Sequence, residues 1–264
     1  MFINYLYKLC KFSILLFFLC FLHTSVFSQS VYSLNLKKDL FIGALSLGIS
    51  AASFFIINEP DYTPGILDKN ELNSFDRSLV FSYNKPLDLI SDNGVYGFIL
   101  LPFISLMPKI KDRNAILTYS IMYGEALLLT YGTVFTLKRS IIRYRPYMYS
   151  GGIPCGKEND YFNSFPSSAV SFAFLSATFF SVSFSQEYPE SKWKLPVIIG
   201  SYALAAGTAS MRILAGSHFL SDVLIGAAIG SVYGGVIPNL HKKTARNGLT
   251  MIPNGNGIMV SLRY

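Results

Sequence analysis

The chain has 264 residues, of which 51% are hydrophobic and only 14% charged, with a net charge of +7. A mean hydropathy of +0.40 argues against an ordinary soluble domain and points to one membrane or membrane-embedded domain. The basic excess is no nucleic-acid footprint, because Lys and Arg cluster at segment ends without an aromatic-interleaved patch; it fits membrane-edge bias or attraction to anionic lipid.

Residues 1–28 have the plan of a secretory leader: Lys8 and Lys11, an apolar run over 12–22, then Ser25-Val26-Phe27-Ser28 before Gln29. Cleavage is expected after Ser28, which removes Cys10 and Cys20 and leaves Cys155 alone, without a partner for a disulfide. The expected organisation is leader 1–28, N-terminal segment 29–39, helical domain 40–243 and tail 244–264.

Six apolar stretches, 40–57, 94–107, 115–137, 167–184, 195–214 and 219–240, predict an all-α six-helix membrane bundle. The first two are tilted, re-entrant or packed inside the bundle if they do not span. Gly207, Gly226 and Gly230 would let the fifth and sixth helices approach closely. Beyond Lys243, residues 248–262 with Asn254-Gly255-Asn256-Gly257 between two apolar runs read as a small β-hairpin.

Loop charge sets an orientation. Residues 59–92 carry seven acids against Lys69, Arg77 and Lys85, whereas 108–113 and the tail, with Lys242, Lys243 and Arg246, are basic. Positive-inside bias therefore puts the last two in the cytoplasm, and the opposite ends of the helices outside. A cleaved leader conflicts with this if 40–57 spans, since that helix would begin and end outside. Either it does not span, or the leader is not cleaved, or the bundle is peripheral.

Three blocks carry chemistry. Lys138, Arg145 and Pro146 form K-x6-R-P; Ser164-Phe165-Pro166-Ser167-Ser168-Ala169 follows; Arg212, His218 and Asp222 form R-x5-H-x3-D. A transferring phosphoryl group spreads charge over its equatorial oxygens and needs several fixed donors. Lys138, Arg145 and Arg212 are three such cations, and Ser167 and Ser168 open a helix whose N-terminal N–H groups suit an anion. His218 and Asp222, four apart, share a helix face, so the carboxylate can hold Nδ1 and leave Nε2 to attack phosphorus. Taken singly, the cations read as snorkelling side chains, Ser167 as an N-cap and Asp222 as a first-turn acid. Their joint occurrence in order favours the pocket. Arg139 and Arg143 read as membrane-edge charges. Tyr144, Tyr147 and Tyr149 fit an interfacial belt or a lipid-binding wall. No metal site is expected, because His218 and His241 have no matching carboxylate cluster.

This pattern resembles the type 2 phosphatidic acid phosphatase (PAP2) superfamily, which includes bacterial acid phosphatases and vanadium haloperoxidases, over roughly residues 40–240. The family's blocks read K-x6-R-P, P-S-G-H and S-R-x5-H-x3-D. Here Ser168 replaces the Gly, Ala169 replaces the His, and Met211 separates Ser210 from Arg212. The resemblance implies a phosphatase acting on a lipid phosphate or diphosphate through a phosphohistidine at His218, without metal or other cofactor; the loop charge puts that site on the periplasmic face of a bacterial cell-envelope membrane. The family's second-block His protonates the leaving group, and Ala169 cannot; Glu158, Asp160, Tyr161 and water are the substitutes at hand. A catalytically impaired homologue that binds phosphorylated lipid headgroups is the alternative. Haloperoxidase chemistry is disfavoured, since that histidine also belongs to the vanadate site. The expected partners are a phosphorylated lipid and the membrane; the sequence does not set the oligomeric state.

Overall fold

The computed structural model describes residues 31–60, 65–109 and 112–243 and the backbone of two strands beyond them; the expected leader lies outside these residues. The described residues hold seven α-helices: α1 (Leu36–Phe55), α2 (Ser74–Arg77), α3 (Lys85–Leu100), α4 (Arg113–Ser140), α5 (Ser168–Glu187), α6 (Lys194–Leu214) and α7 (Leu220–His241). Strands β1 (Gly248–Asn254) and β2 (Gly257–Arg263) pair antiparallel.

Two differences from the six expected helices have local causes. The four-residue α2 has no apolar run to announce it; it is nucleated by Asn73, whose side chain accepts from the Asp76 N–H. Helix α3 starts nine residues before the expected Gly94, because Asn84 caps it, accepting from the Leu87 N–H, and Pro86 sits in its first turn. Similar caps start α1 at Asn35 and α4 at Asp112.

Five helical segments are long and apolar enough to cross a membrane: Leu36–Phe55, Lys85–Ser105, Ser168–Glu187, Lys194–Leu214 and Leu220–His241. Their outer faces expose large apolar side chains, among them Phe41, Phe55, Leu195, Ile199, Leu224 and Val232. A surface of that kind is stable against lipid and not against water, so the chain is a membrane protein. Helix α4 is longer but more polar, and it lies against α1, α5 and α7.

Helices α5 and α7 make the most extensive pairing. Gly226, Gly230 and Gly234 form a seam on α7, one every fourth residue. A Cβ at these positions would stand 2.7 Å from the Ser167 carbonyl oxygen, 2.0 Å from that of Ser171 and 2.6 Å from that of Leu175. Backbone meets backbone, as small-residue seams in membranes permit. Gly207 takes no part, since a Cβ there would meet open space.

Helix α1 runs the length of the bundle. At one end the Ser33 N–H donates to the His241 carbonyl (3.0 Å) and Lys38 Nζ to that of Leu240 (2.8 Å). At the other, Arg139 donates to the Ser53 carbonyl and Asn58 to that of Ser140 (3.1 Å). The end holding Ser140 is also where α5 and α7 begin and α6 stops, and there the three sequence blocks lie.

Candidate active site

Backbone pairing brings the blocks together. After α4 the chain runs extended, and the N–H groups of Arg143 and Arg145 donate to the carbonyls of Phe162 (3.0 Å) and Tyr161 (2.8 Å). The first block thereby lies alongside the start of the second. The Tyr147 N–H then donates to the Gly216 carbonyl (3.1 Å), tying the first block to the third. Gly216 has φ +66°, and a Cβ there would come within 2.5 Å of the Phe81 carbonyl, so this turn demands glycine. The Ser167 N–H donates to the Asp222 carbonyl (3.1 Å), closing the second block on the third.

His218 is buried at the centre. Its Nδ1 lies 2.7 Å from the Ser164 carbonyl, an acceptor only, so Nδ1 carries the proton and Nε2 the lone pair. Arg145 Nη1 reaches that Nε2 at 3.2 Å. Burial, and then the charges of Arg145, Arg212 and Lys138, hold the imidazole pKa well below 6.5. His218 is therefore neutral at pH 7, the form that can act as a nucleophile.

Asp222 does not take the Nδ1 proton. Its Oδ2 stands 3.8 Å from Nδ1 and instead accepts from Ser164 Oγ and from the Phe219 N–H (2.9 Å). Its Oδ1 pairs with Arg143. The reason is geometric: Asp222 occupies the first turn of α7 and satisfies that helix's own N–H, while the Ser164 carbonyl is nearer the ring. Asp222 thus acts on His218 through Ser164.

The cations are distributed unevenly. Lys138 Nζ donates to the Asn163 carbonyl (2.6 Å). Arg145 is buried, giving Nε to the Asp160 carbonyl (2.7 Å), Nη2 to the Asp160 carboxylate (2.7 Å) and Nη1 to the Ser217 carbonyl (2.9 Å). Arg212 turns its Nη1 to Asp88 (2.9 Å) and Asp92 (2.8 Å) on α3. Asp88 also takes Tyr83, Lys157 and the Ser217 hydroxyl (3.0, 2.8 and 2.6 Å). Ser167, the N-cap of α5, has a buried hydroxyl with no hydrogen-bond partner, and Ser168 opens the helix beside it.

Several residues stand differently from their sequence reading. Arg143 is no membrane-edge charge: it bridges Asp76 (2.6 Å) and Asp222 and lies 4.7 Å over the Phe219 ring. Asp160 serves as the carboxylate partner of Arg145. Burial would raise its pKa, but Arg145 and Lys138 outweigh that and hold it below the usual carboxylate value, so it carries no proton to give at neutral pH. Glu158 is exposed and accepts from the Gly156 N–H (2.9 Å). Tyr147, expected in an interfacial belt or a lipid-binding wall, and Tyr161, expected as a substitute proton donor, are buried together in the loop core. Asp88 was legible only as one acid in an acidic stretch.

Residues 119–246, which contain all three blocks, match the family model of the PAP2 superfamily. Among solved structures the chain is similar to one described as the crystal structure of the first transmembrane PAP2 type phosphatidylglycerolphosphate phosphatase from Bacillus subtilis, at 20% identity, covering 79% of this chain and 98% of that one, with a TM-score of 0.46. No curated protein matches the chain.

Proposed function

We propose that this chain hydrolyses a lipid phosphate or diphosphate through a phosphohistidine at His218. The observation that carries the reading is a neutral, buried imidazole with Nδ1 held by the Ser164 carbonyl and Nε2 facing a guanidinium. When a phosphate group enters, Arg145 Nη1 exchanges Nε2 for a phosphate oxygen and frees the lone pair. Nε2 attacks phosphorus and the bond to the leaving oxygen breaks. Lys138, Arg145, the Ser167 hydroxyl and the first N–H groups of α5 hold the equatorial oxygens. The N-phosphorylated ring is cationic, and the Ser164 carbonyl and Asp222 stabilise it. Water then cleaves the P–N bond, releasing phosphate and restoring the neutral ring.

Ala169 offers no proton to a departing alkoxide. A diphosphate instead expels a phosphate monoester, already a stable anion, so diphosphates are the favoured substrates. A second reading, headgroup binding without turnover, is supported by Ala169 and by the engagement of Arg212 with Asp88 and Asp92. Purified protein assayed with lipid monophosphates and diphosphates, beside His218→Ala, separates the two. Turnover lost in the variant supports hydrolysis; absence of turnover with binding that depends on Arg145 supports the second. In either case the site end faces outward, because Lys37, Lys38, Arg113, Lys242 and Lys243 lie at the opposite end, where positive-inside bias favours cytoplasm.

A further inference from the structure

A second cluster of ionisable side chains stands at the other end of α7. Asp39 in the first turn of α1, Glu125 in the middle of α4 and His241 at the end of α7 are all buried, and their donor atoms lie within 4.8 Å of one another. This corrects the expectation that His241 has no carboxylates around it. At 1.5 Å per residue, α7 separates His241 from His218 by about 30 Å, so the cluster has no part in the phosphoryl site.

Its wiring is that of a ligand set. His241 Nδ1 donates to the Ile237 carbonyl (2.9 Å), which turns Nε2 toward Asp39 Oδ1 (3.0 Å) and Glu125 Oε2 (3.4 Å), a contact that a proton or a metal ion must bridge. A backbone carbonyl on the far nitrogen is the usual support of a metal-bound imidazole. Asp39 is oriented in the same way: Oδ2 accepts from the Asn35 N–H (2.7 Å), leaving Oδ1 for the cluster. Glu125 is fully buried, and neither of its carboxylate oxygens has a hydrogen-bond partner. A ring nitrogen facing two buried carboxylates needs a positive charge between them. Lys38, 4.0 Å from Asp39 Oδ1, is mainly engaged with the Leu240 carbonyl (2.8 Å).

We propose that Asp39, Glu125 and His241 bind a divalent first-row transition-metal ion of the Zn2+ or Mn2+ class, one that clamps α1, α4 and α7 together. Tetrahedral ligands at about 2.0–2.2 Å from Zn2+ stand about 3.3–3.6 Å apart, close to the 3.0 and 3.4 Å found around Nε2. One imidazole and two carboxylates suit borderline and hard divalent ions rather than thiophilic ones. The ion also supplies the two positive charges that a buried pair of carboxylates lacks.

Full-length protein in detergent, stripped with a chelator and dialysed against Zn2+ or Mn2+, should retain a single equivalent by elemental analysis. Glu125→Gln, which keeps the shape and removes the charge, should weaken retention by more than the roughly 10- to 100-fold that loss of an outer-shell partner costs. His218→Ala should retain the ion in full. X-ray absorption on the Zn2+-loaded wild type should report one imidazole nitrogen among oxygen ligands, a reading that needs no variant to fold. Failure of the wild type to retain either ion, Glu125→Gln binding as tightly as wild type, or a spectrum with two imidazoles would overturn the proposal; the first result would leave a shared proton as the cluster's positive charge.

Discussion

His218 is the residue on which the site turns, and its protonation gives the first test. The unfolded chain takes a proton on this histidine near pH 6.5, whereas burial and then Arg145, Arg212 and Lys138 push the folded value well below that. Between the two values the unfolded state binds more protons, so the stability His218 contributes is complete above about pH 6.5 and is lost as pH falls toward the lowered value. Replacing His218 with Gln should flatten the fall in unfolding midpoint between pH 7 and 5 measured in detergent; an unchanged slope would contradict the assignment. Arg143 makes a second test. Its removal leaves Asp76 and Asp222 buried without their shared cation, a loss on the order of 3 kcal/mol, so Arg143→Ala should lower stability by more than Arg139→Ala does. Installing the absent acid, Ala169→His, should raise monoester turnover by up to about 10²- to 10⁴-fold and diphosphate turnover less, in parallel assays of the two substrate classes. Lys138, Arg145, Ser167 and His218 were legible because fixed spacings flag them. Arg143 was not, although it lies two residues before Arg145 on an extended segment, where alternate residues share a face; an apolar flank made it read as membrane edge.

At the scale of elements, the glycine seam of α7 decides how α5 is seated. Gly230→Ala would press a methyl to 2.0 Å from the Ser171 carbonyl, where the obstacle is backbone and the helices must part. The cost should be at least the roughly 1–3 kcal/mol of an overpacked core, whereas Gly207→Ala, facing open space, should be neutral or slightly stabilising by helix propensity. Thermal unfolding of the two variants side by side tests this contrast. Four of the long helices were read close to their observed bounds, since apolar runs announce them. Helix α3 was cut short because Asn84-Lys85-Pro86, a cap followed by proline, is polar and was outweighed by the apolar run beginning at Gly94. The seam itself was half visible: glycine spacing in the sequence does not tell which face of a helix a neighbour covers, and so Gly207 and Gly230 looked alike.

For the whole molecule, the path of α1 removes one of the arrangements left open by the sequence. Its ends lie at opposite ends of the bundle, so it does not return to the side on which it began. An outward-facing site then requires the start of α1 to be cytoplasmic, and that is incompatible with a leader cleaved outside at Ser28. With Cys10 and Cys20 changed to Ser, Cys155, which is exposed near the site, should react with an impermeant thiol reagent in intact cells. N-terminal sequencing of the same protein should find residues 1–28 retained. Labelling only after lysis, together with an N-terminus at Gln29, would reverse the orientation.

Arg143, Arg145, Lys157 and Arg212 are paired at the site with Asp76, Asp88, Asp92, Asp160 and Asp222, and Lys138 with the Asn163 carbonyl, so the resting site is close to charge-neutral. A phosphate entering this site would meet guanidinium groups already held by carboxylates. Asp160, whose side chain is 41% exposed, is the most exposed of these five carboxylates. If the site takes the proposed substrate, admission is an ion exchange: a free inorganic phosphate would have only its charge with which to drive Asp160 out, whereas a lipid phosphate would also be held by its chains in the bilayer. On the proposed reaction the same exchange run backwards would eject the product, with Asp160 reclaiming Arg145 as phosphate departs.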